Sequence, residues 1–281
     1  MEIKKAQKRK VKLKIGMSGA SGFGKTYSAL LLAYGMVNDW SKIVVIDTEN
    51  RSASLYSDLG EYSTLELAAP FTPERYIEAI KECEKAGFEV IIVDSITHEW
   101  DGKGGCLEIV ESLGGRYQDW AKVTPRHNEF IQTILQINCH VITSVRRKQD
   151  YDMVKNDNGK FSVQKVGMKE VTRDGFEYEL TVNFEFLNDK HFVKAGKDRT
   201  GLFADKPEHV ITKETGKKLI DWANTGFDEI KDIVLKIELA DSRDILDAIW
   251  KENTSLHKNV QIIEAFKKAC VNYPKVSKEV L

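Results

Sequence analysis

No stretch of this sequence approaches the roughly 20 consecutive apolar residues of a membrane-spanning helix. The start, MEIKKAQKRKVKLKIG, lacks the apolar stretch and cleavage site of an export signal. The expected protein is therefore neither exported nor membrane-embedded, and its expected location is the cytoplasm. Cysteine is sparse: Cys83, Cys106, Cys139 and Cys270 form no C-x-x-C pair and lie mostly in apolar segments, which reads as reduced, buried thiols rather than a disulfide framework or a metal knuckle. The six histidines show no ligand spacing, so the sequence proposes no structural zinc. Net charge is scarce as well: 42 basic against 43 acidic residues leave −1, so any attraction for nucleic acid has to be local. No internal repeat or low-complexity tract occurs.

The 281 residues suit one large α/β core with a smaller appendage. With 42% hydrophobic and 30% charged residues the chain has enough apolar surface to fold, which excludes disorder. Val11 to Met17 reads as a strand, a glycine-rich turn follows, and Thr26 to Val37 reads as a buried helix. KIVVIDT at 42–48 and EVIIVD at 89–94 are continuous apolar runs of strands covered on both faces. A weaker strand at 63–67 precedes Thr72-Pro73-Glu74, whose threonine cap, proline and acid announce a helix to about Ala86. Helical patterns near 107–113 and 128–136, then HVITSV at 140–145, complete an alternation that specifies a mostly parallel twisted sheet with ligands at the strands' carboxyl ends. From Arg146 to Gly167 the apolar pattern stops, as in a loop or hairpin. Strands at 178–186 and 191–195 add an antiparallel edge. Helical periodicity follows over 212–224, 227–239, 242–252 and 256–272, with Asp241 or Ser242 as a cap. The expected division is a core over 1–204, a connecting segment with a helix over 205–225 and a helical module over 226–281.

Between the first strand and helix lies Gly19, Ala20, Ser21, Gly22, Phe23, Gly24, Lys25, Thr26, which fits G-x-x-x-x-G-K-[ST] in the context the motif requires. A chance match in a chain of this length is on the order of one per cent. Glycines let backbone N–H groups turn toward phosphate oxygens, and the following helix presents its positive end there. Lys25 is expected to reach the β and γ phosphates, the Thr26 hydroxyl to ligate Mg²⁺, and Tyr27 to border the nucleotide. Asp94, closing VIIVD with Ser95 beside it, is placed to hold the ion's waters. For orienting or deprotonating an attacking water, Glu49 beyond KIVVIDT reaches furthest toward the carboxyl edge, and Asp47 is the competing acid.

GASGFGKT, VIDTE, VIIVDS and VITSVRR, in that order, resemble the RecA-type recombinase core over about residues 11–204. The resemblance implies that Glu49 is the catalytic glutamate and that a polar γ-phosphate sensor sits at Ser144 or Thr143, where RecA carries glutamine. VKAGKDRTGLF is similar to the segment by which a neighbouring subunit completes the site, which nominates Lys197 and Arg199 as cations acting in trans. The short form is similar to core-only RecA relatives of bacteriophages that anneal single-stranded DNA, and ITKETGKKLIDW with the helices after it resembles their tail. The implied cofactors are ATP and Mg²⁺. The implied partners are single-stranded DNA and further copies of the chain in a ring or filament with ATP at the interface. A single-strand-binding protein is a candidate partner for the C-terminal helices.

The segment 146–169 carries seven basic residues against three acids, with aromatics between them. Cations track phosphates while rings stack on bases, so Arg146, Arg147, Lys148, Tyr151, Lys155, Lys160, Phe161 and Lys165 form the candidate single-strand site, with Lys169 beyond them. The run Lys4, Lys5, Lys8, Arg9, Lys10 could extend that track. Trp100, Trp120 and Trp222 read as core. Two rival functions remain at this stage. One is a small-molecule P-loop phosphotransferase in which Arg146, Arg147 and Arg199 clamp an acceptor phosphate. The other is a non-hydrolysing replication accessory protein switched by ATP.

Overall fold

A computed structural model describes residues 11–155, 161–225, 229–257 and 259–274. The N-terminal basic run, Lys160 and Phe227 lie outside the described residues. By internal contacts the chain divides between Ala223 and Asn224. The helix that sequence reading set in a connecting segment thus belongs to the larger unit.

That unit is built on the strands β1 (Lys14–Gly19), β2 (Ile43–Asp47), β3 (Ser63–Glu66), β4 (Val90–Asp94), β5 (His140–Lys155), β6 (Phe161–Glu170), β7 (Val182–Phe186), β8 (Phe192–Asp198) and β9 (His209–Val210). The helices among them are α1 (Lys25–Val37), α2 (Pro73–Lys85), α3 (Thr97–Asp101), α4 (Cys106–Ser112), α5 (Trp120–Gln136), α6 (Phe176–Glu179) and α7 (Lys213–Asn224). The strand order is β3-β2-β4-β5-β1-β7-β8-β9, with β6 paired to the distal part of β5. From β3 to β7 neighbouring strands run parallel, and β8 and β9 add the antiparallel edge.

Alternation along the buried strands explains the two-sided packing. Ile43 and Val45 face one layer with Leu30, Leu32 and Ala33 of α1 and Leu219 of α7. Val44 and Ile46 face the other layer with Tyr76 and Ile80 of α2 and Phe130 and Ile134 of α5. Each valine, leucine, isoleucine or phenylalanine among them, withdrawn from water, contributes roughly 1.5–3 kcal/mol. The sheet is thereby held so that the carboxyl ends of β1, β2, β4 and β5 share one edge.

Of the two forms expected beyond Arg146, loop or hairpin, the hairpin is the one found, and one strand boundary changes. Beyond Val145 the polar segment continues as the second half of β5 and forms a ladder with β6, from Arg147↔Glu170 to Lys155↔Phe161, with a bulge at Asp150/Tyr151. Tyr178 belongs to the short helix α6 rather than to β7, because Gly175, at φ 95°, turns the chain into a helical turn that buries Phe176.

The smaller unit contains α8 (Glu229–Glu238), α9 (Arg243–Glu252) and α10 (Val260–Asn272) around Ile233, Ile237, Leu246 and Ile262. Ser242 caps α9 by accepting from the Ile245 N–H, and Asn259 caps α10 by accepting from Gln261 and Ile262. No described helix is long and apolar enough to cross a membrane.

Helices α1 and α7 meet backbone to backbone through glycines. A Cβ on Gly35 would come within 1.9 Å of the Lys213 carbonyl, and one on Gly216 within 2.1 Å of the Leu32 carbonyl. Gly35→Ala should therefore force the helix carrying the phosphate loop off its neighbour and lower unfolding free energy by about 1–3 kcal/mol in denaturant titrations. An unchanged midpoint would show that the helices can slide apart at no cost.

Candidate functional site: a phosphate loop and a buried carboxylate

The candidate site lies at the carboxyl edge of the central strands. Gly22 and Gly24 both adopt positive φ, 83° and 85°, which gives the loop its reversal before α1. Gly24 occupies the N-cap of α1 without a side-chain hydrogen bond, so no capping oxygen covers the helix start, whose Lys25 and Thr26 line the cavity. Lys25 is buried, and its ammonium donates to the carbonyls of Gly19 at 3.0 Å and Ala20 at 2.8 Å. Burial lowers its pKa, opposed by the charges of Asp94 and Glu49. A lysine so desolvated, beside free helix N–H groups, fits an anion.

Asp94 joins three elements. It is 2% exposed; its Oδ2 accepts from the Thr26 hydroxyl at 2.5 Å and its Oδ1 accepts from the Ser144 hydroxyl. Burial raises its pKa, and those two hydroxyl bonds work in the opposite direction. A buried carboxylate beside a hydroxyl is the donor set of a hard divalent cation, so the residues present fit Mg²⁺ at Thr26 and Asp94. Ser144 is the member of the Thr143/Ser144 pair that reaches this site. Thr143 points to the Ile15 carbonyl inside the sheet.

The two acids after β2 have separate tasks. Asp47, 3% exposed, accepts from the N–H groups of Glu49 and Ala53 at 2.7 and 2.8 Å and so shapes the turn. Glu49 is thereby projected into the cavity, where Oε1 accepts from Arg146 at 2.9 Å from Nε and 2.8 Å from Nη2. Behind them, Thr48 accepts from the Ser95 N–H at 2.9 Å and lies 2.8 Å from His98 Nδ1, and Thr97 accepts from the Arg146 N–H.

The cavity so formed, about 470 Å³, includes Lys25, Thr26, Glu49, Asp94 and Arg146, a size suited to a small-molecule ligand. Tyr27 lines it as expected, with Tyr56 edge-on at 5.7 Å. Three lining residues were not legible in sequence: Tyr56, Ser52, whose buried hydroxyl has no partner among the described residues, and His191. His191 sits at φ 64° in the turn between β7 and β8, with Nδ1 2.8 Å from the Phe23 carbonyl. Asn188 and Asp189 signal a turn, but no local feature shows that the turn folds over the phosphate loop.

The basic segment is sorted by its partners. Arg146 belongs to the nucleotide cavity rather than to an exposed DNA face, because Glu49 holds it there. Arg147 also leaves the DNA-facing set: it is ion-paired with Glu185, donates to the Met168 carbonyl at 2.6 Å and is mostly buried. Lys148 remains 66% exposed while pairing with Asp101 at 2.5 Å, and Lys165 is exposed. In backbone register Tyr151 lies opposite Lys165 and Lys155 opposite Phe161, at even spacing on both strands. Lys197 and Arg199 lie elsewhere: Asp198 pairs with Val182, which pairs with Ile15, so this end of β8 is at the amino edge, away from the chain's own Gly19. Arg199 donates to the Tyr178 carbonyl at 2.8 Å.

Fold and site together define a P-loop nucleotide-binding protein. The sequence matches the AAA domain family over residues 11–215, and the chain belongs to that family of P-loop ATPases. No curated protein matches it. Among solved structures, a KaiC-like protein from the hyperthermophilic archaeon Pyrococcus horikoshii is similar, at 16% identity and a TM-score of 0.40, covering 69% of this chain and 82% of that one.

The hydrogen bond from the hairpin to Phe23 should steady the phosphate loop. His191→Ala is expected to weaken binding of a fluorescent ATP analogue about five-fold, the equivalent of one hydrogen bond near 1 kcal/mol, while leaving the thermal midpoint nearly unchanged. Unaltered affinity would remove His191 from the site.

Proposed function

We propose that the chain hydrolyses ATP with Mg²⁺, assembles as a ring or filament on single-stranded DNA and promotes annealing or strand exchange in phage-type recombination. The observation that carries this reading is the continuity of β5. One strand supplies Ser144 to Asp94, Arg146 to Glu49 and then, from Lys148 on, one side of the basic ribbon. A displacement of the ribbon on binding a polyanion therefore has a covalent route to the two acids of the nucleotide site.

In this reading Gly19 to Thr26 and the start of α1 hold the phosphates. Thr26 and Asp94 hold Mg²⁺, which neutralises charge on the β and γ oxygens. Glu49 orients and deprotonates the attacking water once Arg146 is drawn to the γ-phosphate. Tyr27 and Tyr56 offer ring faces to the base. Lys197 and Arg199, remote from their own loop, act on the nucleotide of a neighbouring copy. Lys148, Lys155 and Lys165 track DNA phosphates while Tyr151 and Phe161 stack on bases, and α8–α10 dock a single-strand-binding protein. The phosphotransferase alternative lacks a convergent clamp: of its three arginines Arg146 alone lines the cavity, while Arg147 pairs with Glu185 and Arg199 donates to the Tyr178 carbonyl.

The direct test is the steady-state ATPase rate with and without single-stranded DNA. DNA should raise the rate, and Lys25→Ala and Glu49→Gln should each lower it about 100-fold or more. Tight ATP binding with no turnover, indifferent to Glu49→Gln, would instead favour the ATP-switched accessory protein. Separately, Lys155→Ala with Lys165→Ala should flatten the salt dependence of single-strand binding by about 0.7 per lost phosphate contact. An unchanged slope would take the ribbon out of the DNA site.

A further inference from the structure

Outside the nucleotide site, the fold brings together three metal-capable side chains that no short-range spacing connects. Glu99 comes from α3, Cys106 opens α4 and His127 lies in α5, and their side chains are 0%, 0% and 3% exposed. His127 Nδ1 stands 3.0 Å from both Glu99 oxygens, and the Cys106 thiol donates to Glu99 Oε1 at 3.1 Å. One ligand atom from each residue lies within 4.8 Å of the other two. Metal–ligand lengths of about 2.0–2.3 Å at tetrahedral zinc place neighbouring ligand atoms roughly 3.2–3.8 Å apart, so the two contacts to Glu99, at 3.0 and 3.1 Å, need only slight expansion to receive an ion, with the third pair inside 4.8 Å.

As a purely hydrogen-bonded cluster the arrangement is poor. A carboxylate has about four acceptor directions, yet this one is fully buried and shares a single imidazole nitrogen between its two oxygens, with one thiol besides. The surrounding structure also has need of a staple. Helices α3 and α4 span five and seven residues, too short to be stable alone. The satellite core that holds them has only Cys106, Val110 and Val123 fully inside, rimmed by partly buried residues including the stacked Trp100 and Trp120.

We propose that Glu99, Cys106 and His127 form a site for one divalent cation of the zinc type, bound by a carboxylate oxygen, a thiolate sulfur and imidazole Nδ1, which ties α3, α4 and α5 together. On binding, the Cys106 S–H bond gives its proton to solvent. Carboxylate and thiolate then balance the two positive charges, and neutral imidazole adds none. Sulfur and imidazole donors select zinc over magnesium, so this site and the Thr26–Asp94 site take different ions. The proposal does not depend on the nucleotide reading. It does give α3 a defined anchor: the same helix places His98 against Thr48 and Asp101 against Lys148.

The test uses the full chain, stripped with a chelator, dialysed and titrated with Co²⁺. The expected result is a near-ultraviolet thiolate-to-cobalt band that saturates at one equivalent and disappears when Zn²⁺ is added. Zn²⁺ at about a hundred-fold excess over its dissociation constant should raise the thermal midpoint by roughly 5–10 °C. Cys106→Ser should lose the band, whereas Cys83→Ser, Cys139→Ser and Cys270→Ser should keep it. Cobalt at Thr26 and Asp94 has no sulfur donor and cannot imitate it. Should Cys106→Ser fail to fold, retention of the band in the other three variants assigns it by elimination. Absence of a thiolate band in the native chain, or its survival in folded Cys106→Ser, would overturn the proposal.

Discussion

The site depends on one unfavourable act, the burial of the Asp94 carboxyl at the end of a strand covered on both faces. Burial disfavours its charge, so whatever surrounds it must supply donors or a cation. The hydroxyls of Thr26 and Ser144 do so, one from the helix after the phosphate loop and one from the neighbouring strand. Because these bonds fix β1's loop, β4 and β5 to a single carboxyl group, the position of the phosphate loop relative to the sheet is set by the same residue that fits the metal. The two-layer core makes this possible by holding the strands' carboxyl ends in register.

Around that centre the charges are paired in an order that follows the chain. Asp47 shapes the turn, Glu49 leaves it, Arg146 meets Glu49, Arg147 turns to Glu185, and Lys148 reaches Asp101. Successive residues of one strand thus engage the nucleotide cavity, the sheet and the rim of α3 in turn. Such half-buried pairs contribute little to stability individually. Their consequence is positional: each holds a cation in a place from which an incoming phosphate could attract it away.

Much of this was legible in the sequence, for identifiable reasons. The apolar runs at 42–48 and 89–94 read as strands covered on both sides, and G-x-x-x-x-G-K-[ST] between a strand and a helix carries its own chemistry. Glu49 and Asp94 followed from their places at strand ends. What failed was partner assignment. Arg146 and Arg147 read as exposed cations because sequence composition does not reveal that Glu49 and Glu185 stand beside them. His191 and Tyr56 enter the cavity through folding of distant turns, and Glu99, Cys106 and His127 converge from three elements. Tyr178 resembled strand because its neighbours alternate, and the positive φ of Gly175 overrode that pattern.

The fit of Asp94 and Thr26 to the cation half of a nucleotide site rests on a buried carboxylate beside a hydroxyl. It is tested most directly by calorimetric binding of a non-hydrolysable ATP analogue, with and without Mg²⁺, to the native chain and to Asp94→Asn. Mg²⁺ should strengthen binding to the native chain, and this gain should largely vanish in Asp94→Asn, while metal-free binding through the phosphate loop persists. An equal Mg²⁺ dependence in both proteins would contradict it.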